Sequence, residues 1–304
     1  MPILTNLGAM SARGFGKVVG VNGKFVTVAN NSSVAAYSTD GMNWTASAMP
    51  SSQGWYSVTY GNGKFVAVVY NSSVAAYSTD GMNWTASAMP SLQLWESVTY
   101  GNGTFVAVAS SSAASAYSTD GINWTASTLP SFQNWQSVTY GNGKFVTVAS
   151  SSGASAYSTD GMNWTASAMP SSQSWYSVTY GNGKFVAVSD NSSVAAYSTD
   201  GMNWTASAMP SSQGWYSVTY GNGKFVAVVT TASTVAAYST DGITWTQTTL
   251  PSSQSWQSVT YGNGKFVTVA NNSSVAAYST DGINWTQTTL PSSQPWESVT
   301  YGGY

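Results

Sequence analysis

Apolar and polar positions along this chain follow a pattern that restarts about every 40 residues. Residues 57–60, Ser-Val-Thr-Tyr, alternate and predict a short strand. Gly61-Asn62-Gly63 ends it with a turn that supplies positive φ at low steric cost. Residues 64–70, Lys-Phe-Val-Ala-Val-Val-Tyr, are apolar at nearly every position and predict a second strand buried on both faces. Asn71-Ser72-Ser73 breaks that run. Residues 74–78 predict a third strand ended by Thr79-Asp80-Gly81, and residues 83–87 a fourth, closed by Pro90 and Ser91. No stretch has the 3.6-residue period of an amphipathic helix.

The unit recurs seven times. Tyr-Ser-Thr-Asp-Gly begins at Tyr37, Tyr77, Tyr117, Tyr157, Tyr197, Tyr238 and Tyr278, a spacing of 40 with one step of 41. The extra residue falls in the loop around Thr231-Ala232-Ser233. All fourteen Trp occupy two positions of the repeat, one beginning at Trp44 and the other at Trp55. Four short strands per unit, a unit of about 40–45 residues and a doubly buried second strand predict an all-β, seven-bladed β-propeller of four-stranded antiparallel blades. An open β-solenoid is the alternative, but such stacks need atypical capping repeats.

The C-terminus predicts how the ring closes. Trp296-Glu297-Ser298-Val299-Thr300-Tyr301 is an eighth copy of the first strand, whereas its N-terminal counterpart, Phe15-Gly16-Lys17-Val18-Val19-Gly20, is degenerate. Residues 1–16 are therefore expected to be an arm and 17–304 the propeller, its first blade closed by 296–302. Such a join removes both free sheet edges.

Composition narrows the chemistry. The chain has no Cys and no His, so it lacks thiolate ligands and the commonest general base. Only 6% of residues are charged, against about 25% in ordinary domains. With one Arg (Arg13), seven Lys and a net charge of −2, no basic patch is expected to hold nucleic acid. The apolar runs are too short to insert into a membrane as helices.

Ser78-Thr79-Asp80-Gly81-Met82-Asn83-Trp84 and its copies resemble the Asp-box, the hairpin signature of sialidase-like bacterial propellers, although the usual motif has one more residue between Asp and Trp. The resemblance covers all seven units. It implies a structural turn at Asp40, Asp80, Asp120, Asp160, Asp200, Asp241 and Asp281. Elementary chemistry agrees, because an Asp carboxylate accepts bonds from backbone N–H groups two residues on. A glycosidase needs two carboxylates at one substrate, and these Asp sit one per blade. A sialidase would also need an arginine cluster, and the chain has only Arg13. No catalytic residues, metal or cofactor are therefore expected, and the chain is expected not to be an enzyme.

Comparing the copies locates a variable face. The first and third turns of the unit hardly change. The second turn and the inter-blade link, which share the opposite face, carry most of the differences. Loops on a rigid scaffold are where binding commonly resides. The residues expected to bind are Gln53, Trp55, Tyr56, Asn71, Gln93, Trp95, Gln133, Trp135, Gln173, Trp175, Gln213, Trp215, Gln254, Trp256, Gln294 and Trp296. Flat rings beside uncharged amides suit a glycan, and repeated weak sites add avidity on a repetitive surface. In the competing reading these Trp are inter-blade core and the chain is a protein-interaction or structural scaffold. Residues 4–16 resemble the lead-in of phage virion-type proteins, which implies a virion or extracellular surface. The expected partner is a glycan or protein surface, and the expected state a monomer.

Overall fold

The computed structural model describes residues 23–303; the expected arm over 1–16 and the degenerate strand at 17–20 lie outside them. Every described element is a strand, 25 in all. No helix among the described residues is long and apolar enough to cross a membrane. β1 (Lys24–Ala29), β2 (Ser32–Ser38) and β3 (Thr45–Gln53) follow one another as antiparallel neighbours. β4 (Trp55–Gly61), β5 (Lys64–Val69), β6 (Ser72–Ser78) and β7 (Thr85–Gly101) make the next four-stranded set. The pattern continues through β8 (Thr104–Ser110), β9 (Ser112–Ser118), β10 (Thr125–Gly141), β11 (Lys144–Ser150), β12 (Ser152–Ser158) and β13 (Thr165–Gly181). It then runs through β14 (Lys184–Asp190), β15 (Ser192–Ser198) and β16 (Thr205–Gln213). Next come β17 (Trp215–Gly221), β18 (Lys224–Val229), β19 (Ser233–Ser239) and β20 (Thr246–Gln254). The last are β21 (Trp256–Gly262), β22 (Lys265–Ala270), β23 (Ser273–Ser279), β24 (Thr286–Gln294) and β25 (Trp296–Gly302).

The 17-residue strands β7, β10 and β13 differ from the four short strands expected. Each is the outer strand of one blade and runs on as the inner strand of the next, which joins thirteen strands into one continuous sheet. Pro90, expected to close the unit, lies inside β7. The ladder to β6 skips there, from Val74↔Ala88 to Ser72↔Gln93, so the missing N–H of proline is not needed.

β25 pairs with β1, Val299 opposite Thr27, so the last strand lies in the same sheet as the first described ones. The innermost strands also touch in a closed cycle, each packing against the next and β25 against β4. Ser hydroxyls lock that cycle. Val98 N donates to Ser57 Oγ, Val138 N to Ser97 Oγ and Val299 N to Ser258 Oγ, each at 3.1 Å. The cycle ends with Val58 N donating to Ser298 Oγ at 3.2 Å.

The core lies between blades. All of Phe65–Val69 is buried, so the central strand faces apolar neighbours on both sides. One representative layer packs Val106 and Val108 against Trp135, Val138 and Phe145. Blades approach so closely at Gly61 that an added Cβ would lie 2.0 Å from the Tyr100 ring.

Candidate functional site

The innermost strands carry the feature that builds the site. In β4 the ladder to β5 pairs Trp55 with Val69 and Ser57 with Val68, leaving Tyr56 as the extra residue of a β-bulge. The same shift leaves Glu96, Gln136, Tyr176, Gln257 and Glu297 unpaired in β7, β10, β13, β21 and β25, and Tyr216 in β17. A bulge re-aims the side chain it carries. All seven of these residues line one cavity of about 120 Å³ at the mouth of the central channel. Each innermost strand supplies one.

The mouth is polar, crowded and acidic. Gln257 Nε2 donates to Glu297 Oε2 at 2.6 Å, and Asn271 Nδ2 donates to Glu297 Oε1 at 2.9 Å. The Tyr56 and Tyr216 hydroxyls are 3.4 Å apart, and the Tyr176 and Tyr216 rings stack with centroids 4.8 Å apart. Tyr70, in the second turn of its blade, extends this cluster outward, its ring 5.2 Å from that of Tyr56. Glu96 and Glu297, the only glutamates in the chain, are 8% and 9% exposed. Burial pushes the Glu96 carboxyl up to about 8, the Glu297 charge adds to the rise, and the Ser110 hydroxyl opposes it. Burial raises Glu297 to about 7 against hydrogen bonds from Gln257, Asn271 and Asn30. No cation is among the groups acting on either carboxyl.

The opposite face is spent on its own turns. Ser78 Oγ donates to Asp80 Oδ1 at 2.9 Å, while Met82 N and Asn83 N donate to the same oxygen at 2.8 Å. Asn83 Nδ2 donates to Asp80 Oδ2, and Gly81 N to Ser78 Oγ, both at 2.8 Å. Burial raises the carboxyl, but these donors outweigh it and bring Asp80 down to about 2. Asp40, Asp120, Asp160, Asp200 and Asp281 bond in the same way to their own turns, and Asp241 does so except that Thr244 stands where the others have Asn.

The expected ligand residues divide sharply. Trp55, Trp95, Trp135, Trp175, Trp215, Trp256 and Trp296 are at most 1% exposed. Placing them in a binding surface is corrected: each ring is buried in an apolar cluster of the core, out of reach of a ligand. Trp55 Nε1 donates inward to Ser51 O at 3.1 Å. Gln93 sits half-buried opposite Ser72, and Gln53, Gln133, Gln173, Gln213, Gln254 and Gln294 repeat that placement. Gln53 and Asn71 line a separate groove with Tyr70 and Asn30. Of the expected residues only Tyr56 reaches the cavity. Glu96, Gln136, Tyr176, Tyr216, Gln257 and Glu297 were not expected there. Their signal was the divergence of the copies at the residue after each Trp.

Blades of four antiparallel strands around a central channel define a β-propeller. Virginiamycin B lyase from Staphylococcus aureus has the same fold, with a TM-score of 0.75 at 14% identity over 84% of this chain and 93% of that one. A streptogramin B lyase matches with a TM-score of 0.74 at 11% identity, over 82% of this chain and 87% of that one. YCF48 bound to a D1 peptide matches with a TM-score of 0.62 at 17% identity, over 79% and 82%. No protein-family model and no curated protein matches the sequence. These likenesses correct the expectation that the chain is not an enzyme. Its structural neighbours include lyases, and the fold does not settle enzyme status. Two buried glutamates, Glu96 and Glu297, also share one cavity, a juxtaposition that the spacing of the carboxylates along the sequence does not show.

Proposed function

We propose that the chain is a seven-bladed binding propeller that engages a polypeptide partner at the mouth of its central channel. One observation carries this reading: copies that are otherwise near-identical diverge where their side chains meet at the mouth. The residues there are Tyr56, Glu96, Gln136, Tyr176, Tyr216, Gln257 and Glu297. The mouth thereby presents a single asymmetric set of side chains, which is what one ligand on the axis can recognise. The count of seven is supported by the seven copies of the Asp turn and by the seven innermost strands at the mouth. The β25–β1 pairing supports a propeller over 17–304 whose first blade is closed by 296–302.

A cavity of about 120 Å³ is well below the roughly 300–1,000 Å³ of a small-molecule cleft. It suits the tip of a side chain inserted from a larger partner. The peptide complex of YCF48, a propeller of this fold, supports polypeptide as that partner. Glycan recognition loses its support with the burial of the Trp55 set.

The test is selection of a random dodecapeptide library on the folded chain. Peptides from this library should bind, and Gln136→Trp, which fills the mouth, should abolish that binding while circular dichroism shows the fold unchanged. Selected peptides indifferent to Gln136→Trp would sink the reading.

A further inference from the structure

We infer that the mouth captures its partner by one inserted Lys or Arg side chain, the cationic end held between Glu96 and Glu297 and the flanking apolar residues resting on Leu92 and Phe132. This rests on the polypeptide reading above and names the chemistry of the inserted group.

Charge segregation carries the first half. Of the chain's ten acidic residues, seven sit in the Asp turns; Glu96, Glu297 and Asp190 do not. Those three lie at the end of the channel where the bulges and second turns meet. Every described lysine opens the second strand of its blade at the opposite end, as Lys64 does opposite Gly61. Lys24 is fixed there, its Nζ donating to Asp80 O at 2.9 Å. Among the described residues the mouth therefore holds carboxyls and no cation.

Glu96 sharpens the point. Its side chain is more than nine-tenths buried and lines the cavity, yet among the described residues only Ser110 is recorded as bonding to it. A buried carboxylate in that position needs a counter-charge or a proton. The other groups facing the pair are Tyr56, Tyr176 and Tyr216 with Gln136 and Gln257. An ammonium or guanidinium entering here meets carboxylates, amide oxygens and aromatic faces, all of which favour a cation.

The exposed apolar residues carry the second half. Leu92 is 64% exposed and Phe132 70% exposed, and both replace the Ser found at the same place in other copies, such as Ser52 and Ser172. They follow each other in adjacent inter-blade links, the first of which leads into Glu96. Tyr70, 38% exposed, has its hydroxyl pKa raised by burial first and by the Glu96 charge second, and its ring lies 5.2 Å from that of Tyr56 in the cavity wall. Two exposed apolar side chains thus stand in links of successive blades, one of them on the strand that brings Glu96 to the cavity.

The same peptide selection separates this inference from the reading beneath it. Peptides lost on Gln136→Trp should be enriched in Lys or Arg next to an apolar residue. Replacing that Lys with norleucine, or that Arg with citrulline, should weaken binding at least about tenfold. The double variant Glu96→Gln, Glu297→Gln should lose a similar factor. Gln136→Lys, which supplies an internal cation, should block the same peptides. Mouth-dependent peptides without Lys or Arg, or undiminished by the double variant, would overturn the inference and leave the polypeptide reading standing. Peptides that all ignore the Gln136→Trp plug would overturn both.

Discussion

The two faces of this ring are made from one repeat and use it in opposite ways. On the Asp-turn face each copy satisfies itself: carboxylate, hydroxyl and backbone N–H groups close a local network within a few residues. On the mouth face no copy is self-sufficient. Glu297 bonds to Gln257 and Asn271 of the neighbouring blade, and Tyr56 reaches Tyr216 across the channel. Local satisfaction tolerates identity between copies, since each Asp carboxylate bonds within its own turn. Convergence on an axis does not, because identical side chains would meet their own like. Seven glutamates there would repel, and seven tyrosines would crowd a cavity of about 120 Å³.

The comparison rests on a core that both faces share, and breaking that core should have the largest effect. Trp135 is fully buried between blades. Trp135→Ala should cost about 3–5 kcal/mol in chemical denaturation, through lost burial and the cavity left behind. A cost below about 1 kcal/mol would mean that the inner Trp do not hold the blades together.

The second effect belongs to the mouth. Both glutamates are raised in the folded state, Glu96 to about 8 and Glu297 to about 7. The native protein then holds more protons than the unfolded chain between about pH 4.5 and 8, so stability is present below that window and falls as pH rises through it. The loss should be at least about 2 kcal/mol, read as a falling denaturation midpoint from pH 5 to pH 9. Glu96→Gln with Glu297→Gln should flatten that slope. The Asp turns act with the other sign. Asp40 and Asp80 are lowered to about 2, so their contribution is lost as pH falls from about 4 to 2. A midpoint independent of pH from 5 to 9 would break the contrast between the faces.

A third measurement compares glycines. Gly121, in an Asp turn, has φ +72, and an added Cβ would lie 2.7 Å from Val66 Cγ2. Gly121→Ala should destabilise by roughly 1–2 kcal/mol. Gly153, in β12 just after a second turn, has its nearest atom at 3.7 Å from such a Cβ. Gly153→Ala should be neutral or stabilising by about 0.4–1 kcal/mol, because it restricts the unfolded chain. Equal costs at the two sites would erase the distinction between a fixed face and a free one.

The strands and turns of this molecule were legible because each depends on near neighbours: Asn62-Gly63 makes a hairpin wherever it occurs, and Phe65–Val69 must be covered on both sides. The mouth was not legible. Trp55-Tyr56-Ser57-Val58 reads as plain alternation, which would put Trp55 and Ser57 on one face and Tyr56 and Val58 on the other. The bulge breaks that parity, so Trp55, Val58 and Gly61 are the buried positions and Tyr56 turns to the axis. No residue at the bulge announces it. Glu96 and Glu297 are also far apart in sequence and become neighbours only when the ring closes. Their divergence from the other copies was visible, but its meaning was spatial.

The smallest expected effect on stability is the one that most sharpens the contrast. Phe132 and Leu92 are the most exposed large apolar residues described, and other copies carry Ser at their position. The repeat therefore folds with Ser there, and Phe132→Ser or Leu92→Ser should change stability by no more than about 0.5 kcal/mol. Exposed apolar area that does nothing for folding is a liability for solubility, so its presence in two adjacent links calls for a partner that covers it. Binding of the mouth-selected peptides should fall several-fold in either variant while the denaturation midpoint stays put. A shifted midpoint with unchanged binding would assign both side chains to the scaffold and move the boundary between the two regions inward, to the mouth alone.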